Sequence, residues 1–371
     1  MKHTWRLGKI FGIDIHIDSS WLVIFILFTW VLAGSYFPRA YPTWTRTLFW
    51  VMGLLTSLLV FASVLLHELA PSVVALKQGE KVQSITLFIL GGVSQITEEP
   101  KEPLQEFAMA IVGPISSFVL AFVFFVFSLG LKNVIVPLAA AASYLAVINT
   151  ALGVFNLIPG FPMDGGRVLR SILWKVTGNL KKATRVASLA GQAMAFLLIF
   201  LGIFQFLRGG LSGLWWILIG WFLYHAAVSG YSEVMVKSVL QGMKAADLMS
   251  RDFETVSGDL SVQDLVDHYI LKKKERVFLV SDGGDLQGIV CLEDVKQTPK
   301  EKWPQSKVKD IMTPRERLEA VAPDADGNRI LASLAAKNIH QVPVMSGDKI
   351  EGIICRTDLI RYLQLRSDLG V

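Results

Sequence analysis

Hydrophobic and polar positions divide the chain in two. Between residues 20 and 235 the apolar runs are long and nearly continuous, while from 240 to 371 they are short and broken by charge. A helix that crosses a bilayer needs about 20 mostly apolar residues. Runs of that kind cover residues 21–37, 48–76, 107–131, 134–158, 190–207 and 214–234. The pattern predicts a polytopic α-helical membrane domain with six spans over residues 1–235, followed by a soluble α/β domain over 243–371. An even number of spans puts both ends on one side of the membrane.

Two shorter patterns refine this. The loop "VQSITLFILGGVSQITEEP" (residues 82–100) is rich in Thr, Ile, Phe and Val around Gly91-Gly92, which reads as a β-hairpin. Apolar strands beside a membrane domain must pair their backbone groups, so the hairpin is expected to dip into the membrane. Its edge would accept an extended substrate, or it is a covered structural hairpin. In the soluble part, residues of about 243–300 are echoed by about 306–366. Met249 corresponds to Met312, Val277 to Val342, Gly288 to Gly352, Cys291 to Cys355 and Asp294 to Asp358.

This repeat resembles the paired cystathionine-β-synthase (CBS) domain. The resemblance implies adenine-nucleotide binding, with Asp294 and Asp358 at the ribose, and a homodimer formed through the pair. Cys in place of the usual hydroxyl residue in both copies, Cys291 and Cys355, departs from that pattern. The bland alternative makes both Asp residues helix caps.

Composition agrees with the pattern. The chain is 52% hydrophobic and 18% charged, too apolar for an ordinary soluble protein. Its net charge of +5 comes largely from Lys and Arg beside the spans, so it is no argument for a nucleic-acid partner. With the N-terminus inside, inner segments hold twelve Lys and Arg and outer loops four. That asymmetry places both termini in the cytoplasm of a multi-pass, prokaryotic-type cell membrane protein. Two isolated cysteines in the soluble part make no disulfide framework, as expected of a reducing compartment. The N-terminal stretch shows no cleavage site of a removable signal peptide.

The candidate chemistry lies within the apolar runs. "LLHELAPSVVAL" places His67 and Glu68 near the inner end of the second span. An ionisable residue there costs roughly 3 kcal/mol, which marks it as functional by default. "VFNLIPGFPMDGGRVLRSILW" ends the fourth span and puts Asp164 on the same side. Two polar motifs at one depth point to one site.

Together, "HELAPS", "GGV", Gly113-Pro114 and "NLIPGFPMDGGR" resemble the site-2 protease family of intramembrane zinc metalloproteases over nearly all of residues 1–235. The resemblance implies cleavage of single-span membrane substrates, with one Zn2+ held by His67 and Asp164. Glu68 would be the general base for a water whose pKa the metal lowers to about 7. Asn156 would orient the substrate backbone, or form an interhelical hydrogen bond. Gly165 and Gly166 would let the chain turn at the site.

One position departs from the family. Its second His ligand falls on Pro71, which cannot bind a metal and also removes the backbone donor for the His67 carbonyl. His16 and His225 are the remaining imidazoles near the spans that could substitute. Three functions stay open: a working protease with a weak site, a pseudoprotease that binds clients without cutting, and a membrane-anchored nucleotide sensor.

Overall fold

The structure, a computed structural model, describes residues 4–89, 91–96, 100–240, 242–273, 275–282, 285–336, 339–347 and 349–369. The chain separates into two compact units, Met1–Val234 and Met235–Val371.

Among the described residues of the first unit, six helices are long and apolar enough to cross a membrane. They are α1 (Ser19–Ala40), α2 (Arg46–Lys77), α3 (Pro103–Leu131), α4 (Val136–Asn156), α6 (Leu180–Leu207) and α7 (Gly213–Val236). Between α4 and α6 lies a shorter helix, α5 (Asp164–Thr177). Polar side chains set several starts by accepting from the otherwise unpaired first-turn N–H groups. Asp18 Oδ1 accepts from Ser20 N at 2.9 Å, Thr45 Oγ1 from Leu48 N at 3.3 Å, and Asn179 Oδ1 from Lys182 N at 3.0 Å. Small residues line the buried faces, as bilayer helices require for close approach. Ala140 and Ala141 of α4, for example, pack with Leu32 and Phe37 of α1 and Met52 of α2.

The expected hairpin is present as β3 (Val82–Phe88) and β4 (Gly91–Ile96), with Leu87 opposite Gly92. It belongs to a larger sheet. The N-terminal stretch forms β1 (Thr4–Ile10) and β2 (Ile13–Asp18), and the strand order is β1-β2-β3-β4, with β2 parallel to β3. The reason is visible in the sequence: Ile13, Ile15 and Ile17 alternate with Asp14, His16 and Asp18, and the isoleucines are buried. Ile13, Ile15 and Ile85 pack on Leu69 and Ala75 of α2 and Met109 of α3. The sheet is thereby fastened along the C-terminal end of α2, and β4 is an edge strand.

In the second unit each repeat has its own core. One contains Phe278, Val280 and Val290, the other Val342, Val344 and Ile354. The first repeat carries β5 (Glu254–Val256), β6 (Val277–Asp282) and β7 (Asp285–Cys291), joined by β8 (Thr313–Pro314) from the second. The second repeat carries the hairpin of β9 (Gln341–Ser346) and β10 (Lys349–Cys355). The exchange is reciprocal. Thr313 pairs with Ile289 of β7, and Ser250 bridges to Ile353 of β10. A Cβ on Gly288 would stand 3.0 Å from Met312 Sδ, and one on Gly352 2.7 Å from Met249 Sδ. The methionines and glycines that correspond in sequence therefore contact each other across the repeats.

Candidate functional site

His67 and Glu68 occupy consecutive positions of α2, nine or ten residues before its end at Lys77. The helix runs unbroken through Pro71, which is buried on the face that carries His67, one turn on. The proline withholds the N–H that would bond the His67 carbonyl, but the helix continues. Ser72 Oγ donates to the Glu68 carbonyl at 2.8 Å just beyond it.

Asp164 does not end the fourth span. After α4 closes at Asn156 the chain loops, and Asp164 is the first residue of α5. There its carboxylate meets the imidazole, with His67 Nε2 and Asp164 Oδ2 3.2 Å apart. The glycines that follow serve contact rather than a turn. Neither has a positive φ, and a Cβ on Gly165 would collide with the backbone of Leu157 and Ile158, one on Gly166 with that of Gly160 and Phe161. Only bare backbone lets α5 lie against the loop that leads into it.

Helix α3 forms the wall of this pair. Gly113 comes so close that an added Cβ would lie 2.8 Å from Asp164 Oδ2 and 3.2 Å from His67 Nε2. One turn later, Ser117 Oγ is 2.9 Å from His67 Nδ1, and both residues are buried. At the start of the same helix Glu106, fully buried, pairs with Arg170 of α5 and has Arg167 at 3.9 Å. Arg170 also stacks over the Phe161 ring, 5.1 Å from its centroid. This clamp joins α3 to the helix that carries Asp164.

Strand β4 covers Glu68. Ser94 Oγ donates to Glu68 Oε2 at 3.2 Å, and a Cβ on Gly92 would lie 2.5 Å from Glu68 Cγ. The "GGV" glycine thus admits the carboxylate side chain beneath the edge strand.

Other candidates stand apart. Asn156 donates to Leu152 O of its own helix at 3.0 Å. It is Asn149 that joins α4 to α2, donating to Ser63 Oγ at 3.2 Å. His16 lies on β2 opposite Arg6 and Thr86, and His225 meets the rings of Trp221 and Tyr224 edge-on. In the second unit Asp294 Oδ2 accepts from Cys291 N at 2.8 Å and from Cys291 Sγ at 3.0 Å. It caps the helix Leu292–Gln297, and Asp358 is hydrogen-bonded to Cys355 in the corresponding place.

Do these residues fit a zinc ion? Two ligand atoms at about 2.0–2.1 Å from a tetrahedral zinc lie about 3.3 Å apart. His67 Nε2 and Asp164 Oδ2, at 3.2 Å, suit two corners of one ion. Pro71, one turn on from His67, offers no ligand atom, and no group of three His, Cys, Asp or Glu among the described residues is placed to hold a metal. The donors present fit two thirds of a zinc site and do not complete it.

An imidazole and a carboxylate thus meet among apolar helices, beside a second carboxylate under a strand edge. Comparison with known proteins gives the class. Residues 55–141 and 132–201 match the model of Peptidase family M50, and residues 245–300 and 308–365 match the CBS domain. The chain is 34% identical over 374 residues to "Putative zinc metalloprotease sll0528" of Synechocystis sp., covering 98% of this chain and 96% of that protein. It is 33% identical over 376 residues to the zinc metalloprotease MJ0392 of Methanocaldococcus jannaschii, covering 100% and 99%. A solved structure, the site-2 protease from Methanocaldococcus jannaschii, is 33% identical and covers 62% of this chain and 95% of that one, with a TM-score of 0.43. The chain belongs to the zinc metalloproteases of peptidase family M50, with a CBS-domain pair at its C-terminal end.

Proposed function

We propose that this chain is an intramembrane endopeptidase-type protein that engages single-span membrane substrates near the cytoplasmic face, with activity impaired by Pro71. The observation that carries the reading is the meeting of His67 and Asp164, 3.2 Å apart, beside Glu68 under an edge strand. Zinc, when bound, would activate the attacking water and polarise the scissile carbonyl.

The chain's own residues do the rest. His67 and Asp164 present two ligand atoms. Glu68, next to His67 in the chain, is the base, and Ser94 holds its side chain by donating to one carboxylate oxygen, Oε2. Strand β4 offers unpaired backbone groups to an extended substrate segment, which would then run past Glu68. Asn156, close to Asp164 in sequence, is a further contact for that segment.

Impairment follows from ligand count. Changes in the groups that only support a metal ligand typically cost about 10- to 100-fold in affinity or activity, and losing a ligand outright costs more. The test is zinc content of the purified chain beside Pro71→His, together with cleavage of a single-span substrate. The Pro71→His chain is expected to carry one zinc and cleave, and the chain as it stands to carry far less and cleave slowly. Equal zinc and equal cleavage would show Pro71 to be harmless. No zinc in either would refute the protease site.

The incomplete ligand set favours a second reading, a pseudoprotease that holds clients without cutting them. Client capture with no cleavage at any zinc concentration would support it.

For the CBS pair we infer adenine-nucleotide binding that biases access to the site, with Asp294 and Asp358 near the ribose. Both carboxylates are engaged in cap interactions, so a nucleotide would have to share or displace those bonds. Titration of the full chain with ATP, ADP and AMP, followed by intrinsic fluorescence and thermal shift, tests this. No response to any of the three would remove the nucleotide from the account. A CBS-mediated homodimer is tested by light scattering in detergent.

A further inference from the structure

We propose that Ser117 is the positioning residue for His67: its hydroxyl fixes the imidazole ring so that Nε2 faces Asp164. This rests on the proposed metal site, and the test below separates the two.

His67 is buried in the membrane domain, so each of its ring nitrogens needs a partner there. Nε2 lies 3.2 Å from Asp164 Oδ2 and Nδ1 lies 2.9 Å from Ser117 Oγ. Asp164 comes from α5, Ser117 from α3 and His67 from α2, so the ring is held from two sides by two different helices. Ser117 is itself completely buried, which leaves its hydroxyl no bulk water to turn towards. The neighbouring Gly113, one turn earlier on the same face of α3, brings that helix close enough for the bond to form.

The chemistry of a hydroxyl suits the place. A hydroxyl both donates and accepts, so Ser117 Oγ donates when Nδ1 presents its lone pair and accepts when Nδ1 carries a proton. If Nε2 gives its lone pair to a metal, the ring proton belongs on Nδ1 and Ser117 Oγ must accept it. A hydroxyl can do both by rotating about its C–O bond. A backbone carbonyl or an ammonium in its position could serve one state only. Ser117 therefore holds one ring orientation through loading, and it does so whether residue 71 is Pro or His.

Two measurements test this on the full chain in lipid nanodiscs. The first reads the ring directly in the metal-free chain by long-range proton–nitrogen correlation with 15N-histidine labelling, with His67→Gln to assign the signals. The chain with Ser117 should show one sharp set of His67 ring signals. Ser117→Ala should shift and broaden them as the ring loses its second partner, and Ser117→Thr, which keeps the hydroxyl, should restore them. The second measures Co2+ affinity against a chromophoric chelator in the Pro71→His background. Ser117→Ala should weaken binding about 10- to 100-fold, and Ser117→Thr should recover most of it. Unchanged ring signals in Ser117→Ala overturn the proposal, as does a cobalt affinity equal to that of the Ser117 parent. If the Pro71→His parent binds no cobalt, the metal-site reading fails, and the ring signals still decide whether Ser117 positions His67.

Discussion

At the scale of single residues, the site is defended by burial more than by charge count. Glu106 and Arg170 show this most clearly. Both are buried and each is the other's partner, so removing the carboxylate strands a guanidinium in a low-dielectric interior. Breaking such a pair from one side costs about 3–5 kcal/mol. Glu106→Gln is therefore expected to lower the unfolding free energy by that order in mixed micelles, while an exposed substitution such as Glu102→Gln leaves it within about 0.5 kcal/mol. Equal stability of the two variants would mean that Arg167 and the Phe161 ring suffice for Arg170. Gly92 and Gly113 play the complementary part. Each removes a side chain exactly where a carboxylate or imidazole has to fit.

At the scale of elements, the two CBS strands that end in cysteine make a chemical prediction. Burial pushes the Cys291 thiol up to about 11 and the Cys355 thiol up to about 12, and the neighbouring Asp294 and Asp358 add to it. Thiols whose folded pKa is raised contribute stability that is complete below the unfolded value, near 9, and is lost as pH climbs through 11 and 12. Urea midpoints of the CBS unit should fall over that alkaline interval and stay flat from pH 7 to 8.5 as far as these groups are concerned. Iodoacetamide at pH 8 should label the folded cysteines far more slowly than the unfolded chain, because the thiolate is the reacting species. Equal labelling rates would contradict the burial of both. Elements of this kind differed in how far the sequence revealed them. The six apolar runs and the CBS repeat were legible because length and internal correspondence carry them. The β1–β2 hairpin leaves a fainter trace: Ile13, Ile15 and Ile17 alternate, but charged neighbours obscure a strand of six residues. The pairing of His67 with Asp164 was legible from two motifs. Ser117 and Ser94 were not, since single hydroxyls 50 and 26 residues from their partners leave no local pattern.

At the scale of the whole molecule, the proposed arrangement has both termini in the cytoplasm, argued from Lys and Arg. Alkaline phosphatase fused after residue 371 should be inactive, and a fluorescent protein there should glow. The same fusions placed after Lys132, in an outer loop, should give the opposite result. Phosphatase activity at the C-terminus would invert the topology and move the proposed cleavage to the other face. The helix that carries His67 has a consequence of its own. Because α2 passes Pro71 without interruption, the proposed impairment is confined to one turn and leaves the strand edge, the carboxylate beneath it and the imidazole in place. The chain as it stands is therefore suited to serve as bait: a client that binds should dwell on it rather than leave as fragments. Cross-linking to this chain would then catalogue clients, and Pro71→His would supply the matched cutter.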